Sequence, residues 1–180
     1  MIAVIFVKKS ERFPGKHSIK INGTGMTEGI ERKVSTSGMF ERTLILSKDP
    51  DLQVKHGKIV KDPSDGTILD SVNYAVGKFG DIFAFGGDMP FLCIDFISSM
   101  ISQFNGRTLC PISPSGIRQT LHCIYAGNDS RLLEEYITGG GRTLHQFVER
   151  FGVSIQYPAE RERCFENVNY LTDIERLRLQ

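Results

Sequence analysis

The stretch Asp81–Leu92, DIFAFGGDMPFL, decides how this chain reads. Its first half, Asp81–Phe85, is apolar and aromatic, as expected of a strand covered on both faces. Its second half breaks abruptly to Gly86, Gly87, Asp88, Met89 and Pro90. Two glycines permit backbone conformations closed to other residues and let a ligand approach the chain closely. Pro90 stiffens the exit and biases Met89 toward extended backbone. The expected product is a carboxylate held at the mouth of a sheet. Two readings fit it. A single hard carboxylate completed by substrate phosphates is a common way to hold Mg²⁺. Alternatively, Asp88 caps the helix whose apolar face begins near Ile94.

Working outward, the same buried-strand pattern recurs at Ile2–Val7, Thr43–Ser47, Ile59–Lys61, Gln119–Ala126 and Val153–Gln156. Between these runs apolar residues recur at helical spacing. Thr27–Val34 is a weak case; Ile68, Leu69, Val72, Ala75, Val76 and Phe79 form a strong one. Ile94, Ile97, Ile101 and Phe104 follow, then Leu132 to Ile137, Leu144 to Phe151, and Ile174 with Leu177. Strand–helix alternation with buried strands implies an α/β three-layer sandwich around a mostly parallel, Rossmann-like sheet. The 180 residues contain no repeat, low-complexity run or linker, so residues 1–180 read as a single domain. In such sheets ligands gather at the carboxyl ends of the strands, near a topological switch point. Two loops meet that description: Lys8–Lys16 after the first strand and Gly86–Pro90 after the fourth.

Composition narrows the partners. Hydrophobic residues make up 40% of the chain and charged residues 24%, the balance of a soluble globular protein. A net charge of +1 argues against nucleic acid or an anionic membrane as a partner. MIAVIFVKK is too short for a signal peptide or a membrane span. Cys93, Cys110, Cys123 and Cys164 form no C-x-x-C pair and read as reduced thiols of a cytoplasmic protein. His17, His56, His122 and His145 share no metal-ligand spacing with them; His122, inside a strand, reads as structural. Ser115 lies outside any G-x-S-x-G elbow, so a hydrolase nucleophile has no support. Tyr74, Phe79 and Phe83 read as core rather than base-stacking groups.

The string GGDMPFL resembles the magnesium-binding motif of the molybdenum cofactor guanylyltransferases, a nucleotidyltransferase family of Rossmann-like, nucleotide-diphospho-sugar-transferase type. QTLHCIY resembles that family's Q-P-L-x-x-x-Y strand. GGGRTLHQFVERFGV resembles its G-x-R-S-L helix, and FENVNYLTDIERL its terminal F-x-N-[IV]-N-T-P-x-D-L. The resemblance implies transfer of GMP from GTP to the phosphate of molybdopterin, with Asp88 binding Mg²⁺ and Arg12 and Lys16 acting on the phosphates. Its alternatives are a nucleotidyltransferase with another acceptor (adenosylcobinamide phosphate, phospholactate or an acid sugar) or a non-catalytic nucleotide-binding relative.

The first loop departs from the family. Where the family has L-A-G-G-x-S-x-R-M-G-x-x-K, this chain reads IFVKKSERFPGK. Ser10, Arg12 and Lys16 survive; Val7 and Lys8 stand where the diglycine belongs. The end of the loop, SERFPGKH, is also similar to the S-K-R-I-P-G-K-N of the acid-sugar cytidylyltransferases, a register in which Lys8 and Lys9 replace the glycines. Glycines bring backbone N–H groups close to phosphates, and a lysine neutralises charge during transfer. Side chains at Val7 and Lys8 are therefore expected to keep a triphosphate farther off, while lysine charge partly offsets the loss. The basic turn is otherwise a solvated loop. The resemblance puts nucleotide contacts at Phe6, Val7, Lys8, Ser10, Lys16, Ser47, Asp62 and Asp88. Asp62 belongs equally to an ordinary DPSDG turn, and Ser47 equally to plain strand termination. Asn169 either faces the site or, like Thr172, caps the last helix.

Overall fold

The first strand, β1 (Ile2–Val7), is buried at every residue because it runs through the middle of the sheet. The computed structural model describes residues 1–8, 15–16, 19–21, 23–49 and 52–177. Within them a seven-stranded sheet forms from β1, β4 (Thr43–Ser47), β5 (Lys58–Lys61), β6 (Ile82–Gly86), β7 (Leu109–Ile112), β8 (His122–Tyr125) and β9 (Val153–Gln156), in the order β5-β4-β1-β6-β8-β7-β9. A short antiparallel pair, β2 (Lys20–Ile21) and β3 (Thr24–Gly25), stands apart. The stretch from β5 to β6 is parallel, and β8 runs against both of its neighbours.

Both faces are covered, which is why the strands read as continuous apolar runs. Alternate residues point to opposite sides. Ala3, Ile5 and Val7, with Phe83 and Phe85, pack beneath Met26, Ile30 and Val34 of α1 (Met26–Thr36) and Ile97 and Met100 of α3 (Ile94–Gln103). Ile2, Val4 and Phe6 pack on the other side, beneath α2 (Ile68–Phe79), α4 (Ser130–Thr138) and α5 (Leu144–Phe151). The expected three-layer α/β sandwich is therefore the observed one. Among the described residues no helix is long and apolar enough to cross a membrane.

Several local readings change. β7 lies in a stretch with no strand signal, because it holds Pro111 and is only four residues long. Pairing with β9 along its whole length makes it a strand. The apolar stripe of α3 runs through Phe96, Ile97 and Met100, while Ile94 stays partly exposed. The expectation of four reduced thiols fails. Cys93 and Cys164, 71 positions apart, form a disulfide with Cα atoms 5.4 Å apart; Cys110 and Cys123 are free and buried. No local spacing could announce that pair, since the fold alone brings the two segments together.

His122 is structural, as read. It is fully buried among Phe83, Phe85, Phe96 and Phe165, and neither ring nitrogen has a hydrogen-bond partner among the described residues. Burial alone pushes its pKa from 6.5 down to about 3, so the ring is held neutral.

Candidate functional site

The chain leaves β1 toward one side of the sheet, builds β4 and β5 there, and returns to the other side of β1 as β6. The switch point lies between the ends of β1 and β6, and both informative loops start there. The Gly87 N–H donates to the Phe6 carbonyl at 3.0 Å, and the Thr27 hydroxyl donates to the Gly87 carbonyl at 3.2 Å. On the far side the Val168 N–H donates to the Asp88 carbonyl at 2.9 Å. The turn is thus held by β1, by α1 and by the C-terminal segment.

The two glycines serve close approach rather than unusual dihedrals, since neither has a positive φ. A Cβ on Gly87 would lie 2.7 Å from Val7 Cγ2 and 3.1 Å from the Phe6 oxygen. A Cβ on Gly86 would meet Asp88 Oδ1 at 2.9 Å and the Met89 side chain just beyond. Glycine at Gly86 therefore leaves the space that the Asp88 carboxylate occupies. Asp88 does not cap α3. The capping position is Cys93, and no side chain closes that helix end.

The Asp88 carboxylate instead accepts from the Lys16 ammonium at 2.8 Å, with side-chain exposures of 22% and 10%. The pair lines a cleft of about 210 Å³. Phe6, Val7, Lys8, Lys16, Asp62, Gly87 and Asp88 all line it, joined by Lys48, Gly66, Thr67, Ile68, Ser71, Leu46 and Leu121. Six of the residues expected to contact nucleotide thus share one wall system. Val7 belongs to the α1-facing core and also lines the cleft. Lys8, the next residue, is exposed there.

Asp62 closes its turn and also lines the cleft. Its Oδ1 accepts from the Ser64 N–H at 2.9 Å, closing the DPSDG turn, and its Oδ2 accepts from the Ser71 hydroxyl at 2.6 Å. Lys48 lies 3.8 Å from the same carboxylate and donates to the Gly66 carbonyl at 3.2 Å. Ser47 is placed differently from its expected contact. Its hydroxyl accepts from the Asp49 N–H at 2.9 Å, a turn that ends β4, and it does not appear on the cleft wall. Ser10 and Arg12 lie outside the described residues. Asn169 is exposed beside buried Val168, one residue beyond the bond to Asp88. Neither Asn169 nor Thr172 caps the last helix, α6 (Leu171–Arg176). Asp173 does so by accepting the N–H groups of Asn169 and Tyr170.

Sequence reasoning missed Lys48, Thr67 and Ser71. A signal existed for Thr67 alone: Thr67-x-x-Asp70 is a capping box that starts α2. Lys48 reaches the cleft because β4 lies beside β1, and Ser71 because the start of α2 covers that side.

The donor set fits one kind of metal site. Among the described residues no group of three His, Cys, Asp or Glu side chains gathers into a cage. One accessible carboxylate at a cationic cleft suits a magnesium ion that arrives with phosphate oxygens and keeps its waters.

Known proteins resemble this chain along its whole length. A protein of Thermococcus gammatolerans named "probable molybdenum cofactor guanylyltransferase" is 30% identical, with 97% of each chain covered. A protein of the same name from Pyrococcus horikoshii is 25% identical, over 96% of this chain and 95% of the relative. Among solved structures, molybdopterin-guanine dinucleotide biosynthesis protein A of Archaeoglobus fulgidus superposes with a TM-score of 0.74 at 21% identity, covering 98% of this chain and 96% of that one. A CMP:2-keto-3-deoxy-manno-octonic acid synthetase complexed with CTP superposes with a TM-score of 0.70 at 11% identity, covering 98% and 96%. These two structural likenesses speak to the fold. No family model matches the sequence.

Proposed function

Because the chain belongs to the molybdenum cofactor guanylyltransferase family, we propose that residues 1–180 form one nucleotidyltransferase domain that transfers GMP from GTP to the phosphate of molybdopterin. A phosphate oxygen of the acceptor attacks the α-phosphorus of GTP, the bond to the β-phosphate oxygen breaks, and pyrophosphate leaves. No general base is needed, because the attacking phosphate is already ionised at neutral pH. The observation that carries this reading is the Lys16–Asp88 pair on the wall of a cleft at the switch point.

The two partners have separable tasks. On arrival of the triphosphate, Lys16 exchanges the Asp88 carboxylate for phosphate oxygens and neutralises charge there. Asp88 is the residue that would hold a magnesium ion, which would supply charge stabilisation and in-line orientation. Arg12, on the family resemblance, grips phosphate in a bidentate way. Leu46, Ile68 and Leu121 give the cleft apolar walls that exclude water, and Lys48, Asp62 and Thr67 offer polar contacts at the nucleoside end. GTP is a cytoplasmic metabolite, which supports a cytoplasmic location. The cysteine argument for that location no longer applies to Cys93 and Cys164.

Pyrophosphate release tests the reading, with Mg-GTP and Mg-CTP each offered to molybdopterin. Release with GTP and molybdopterin is the expected result. Turnover only with CTP and an acid sugar would move the chain to the cytidylyl alternative that its RFPGK loop resembles. Nucleotide binding without turnover on any acceptor would make it a non-catalytic relative.

A further inference from the structure

The segment that carries Asp88 into α3 is stitched along its length to the C-terminal segment. Arg161 pairs with Asp95, with Nη1 2.7 Å from Oδ1. Cys164 is bonded to Cys93. The Arg163 guanidinium lies 4.5 Å over the Phe91 ring, and the Val168 N–H donates to the Asp88 carbonyl at 2.9 Å. Taken in order, positions 95, 93, 91 and 88 meet 161, 164, 163 and 168, a seam whose strands run in broadly opposite senses. Neither side of it belongs to the sheet between Gly87 and Cys93. The Arg161–Asp95 pair is solvent-accessible and contributes little by itself. The disulfide is the covalent member and closes a 71-residue separation.

We propose that the Cys93–Cys164 disulfide is a positioning element for Asp88, so that the oxidation state of these two cysteines sets the geometry of the metal-bearing turn. The inference rests on the guanylyltransferase reading for its catalytic consequence, though not for its structural one. β1 and α1 hold Gly87 from one side, whereas the Asp88 carbonyl is held by the C-terminal segment. A dithiol reductant would deliver two electrons and two protons to the sulfur–sulfur bond, leave thiols on Cys93 and Cys164, and itself become a cyclic disulfide. Cys93 is the half-buried partner through which such a reagent gains access, since Cys164 is buried. With the bond open, Val168 can leave Asp88, and exposed Asn167 and Asn169 leave with it. The walls formed by β4 and the start of α2 are untouched.

The experiment uses the full chain, oxidised and after treatment with dithiothreitol. Denatured oxidised protein should present two of its four cysteines as thiols, and reduced protein all four. Amide exchange read by NMR should quicken at least about tenfold at Val168 and across residues 86–92 on reduction, while β1 stays protected. Turnover should then fall, with the apparent KM for Mg²⁺ raised several-fold and the KM for GTP changed less than about twofold. If the crosslink were merely stabilising, opening it would lower the melting temperature without moving the Mg²⁺ dependence. If reduced protein or Cys93→Ser/Cys164→Ser unfolds, Arg161→Ala/Arg163→Ala keeps the bond and loosens the seam. It should shift exchange and Mg²⁺ dependence in the same direction by a smaller amount. Four reactive thiols in the protein as isolated, or unchanged Val168 exchange on opening the bond, would overturn the proposal. Faster exchange in a protein that shows no turnover on any acceptor would leave the strap standing and remove the guanylyltransferase reading instead.

Discussion

The cleft contains two lysine–aspartate pairs, and they are built differently. Asp62 lies deep, accepts from Ser64 and Ser71, and has Lys48 only at 3.8 Å. Asp88 is more exposed and leans on Lys16 at 2.8 Å, a residue brought from 72 positions away. Removing Lys48 would leave Asp62 with its serine partners. Removing Lys16 would strip Asp88 of its cation. A carboxylate solvated by the protein's own hydroxyl and amide groups is part of the wall. A carboxylate balanced by one exchangeable ammonium is ready to change partners, which is what a metal ligand in a nucleotidyl transfer must do.

Acid produces the largest expected effect, and it acts on neither pair. His122 is held neutral in the fold with its pKa pushed down to about 3, against 6.5 when free. Between those values the unfolded chain takes up a proton that the folded chain refuses. The stability it contributes is therefore complete above about pH 6.5 and drains away as pH falls, by up to about 5 kcal/mol. Denaturant melts at pH 7 and pH 4 should show the loss, and His122→Leu should remove most of it. An equally steep acid loss in the leucine variant would move the cause to the carboxylates and blur the contrast between the pairs.

Substitution at the exchangeable carboxylate comes next. Asp88→Asn should keep the fold and lower turnover by at least about 100-fold, because a metal ligand loses its charge. A folded variant with unimpaired Mg²⁺-dependent turnover would falsify the ligand assignment. Lys16→Ala should weaken triphosphate binding by about tenfold or more, the scale of one charged hydrogen bond. Lys8→Ala should do less and mainly flatten the salt dependence, because its exposed charge is screened. Calorimetric titration with Mg-GTP at low and high salt separates the two; Lys8→Ala as the more damaging change would mean that the loop register is wrong. The smallest effect belongs to the wall. Asp62→Asn keeps an oxygen for Ser64 or Ser71, so it should cost about 1 kcal/mol of stability and reduce turnover less than Asp88→Asn does. If Asp62→Asn is the more damaging of the two, the assignment of wall and ligand must be exchanged.

Much of this was legible because the relevant signals are local. Continuous apolar runs such as Ile2–Val7 can only be strands covered on both faces. A Gly-Gly-Asp-Met-Pro break after such a run places a carboxylate at a sheet edge. The reasons attached to individual residues were less legible. Gly86 and Gly87 were expected to adopt unusual dihedrals, whereas they are glycine because Val7 and the Asp88 carboxylate lie against them. Val7, read only as a glycine replacement, also belongs to the core packed beneath α1. Ser47, read either as a nucleotide contact or as plain strand termination, accepts from Asp49 and ends β4.

The sequence by itself determined the layered α/β class, the loops at the switch point, and Asp88 as a carboxylate at the end of a strand; the family resemblance added Arg12 and Lys16 as groups acting on phosphate. Periodicity and turn chemistry act over a few residues, so they can be read without coordinates. Tertiary structure alone decided that Lys16 meets Asp88, that Lys48 and Ser71 flank Asp62, and that Cys164 reaches Cys93. Those contacts span from 9 to 72 positions. They exist because burying both faces of one sheet forces distant segments onto the same edge, and no pattern within a segment encodes which neighbour it will find there.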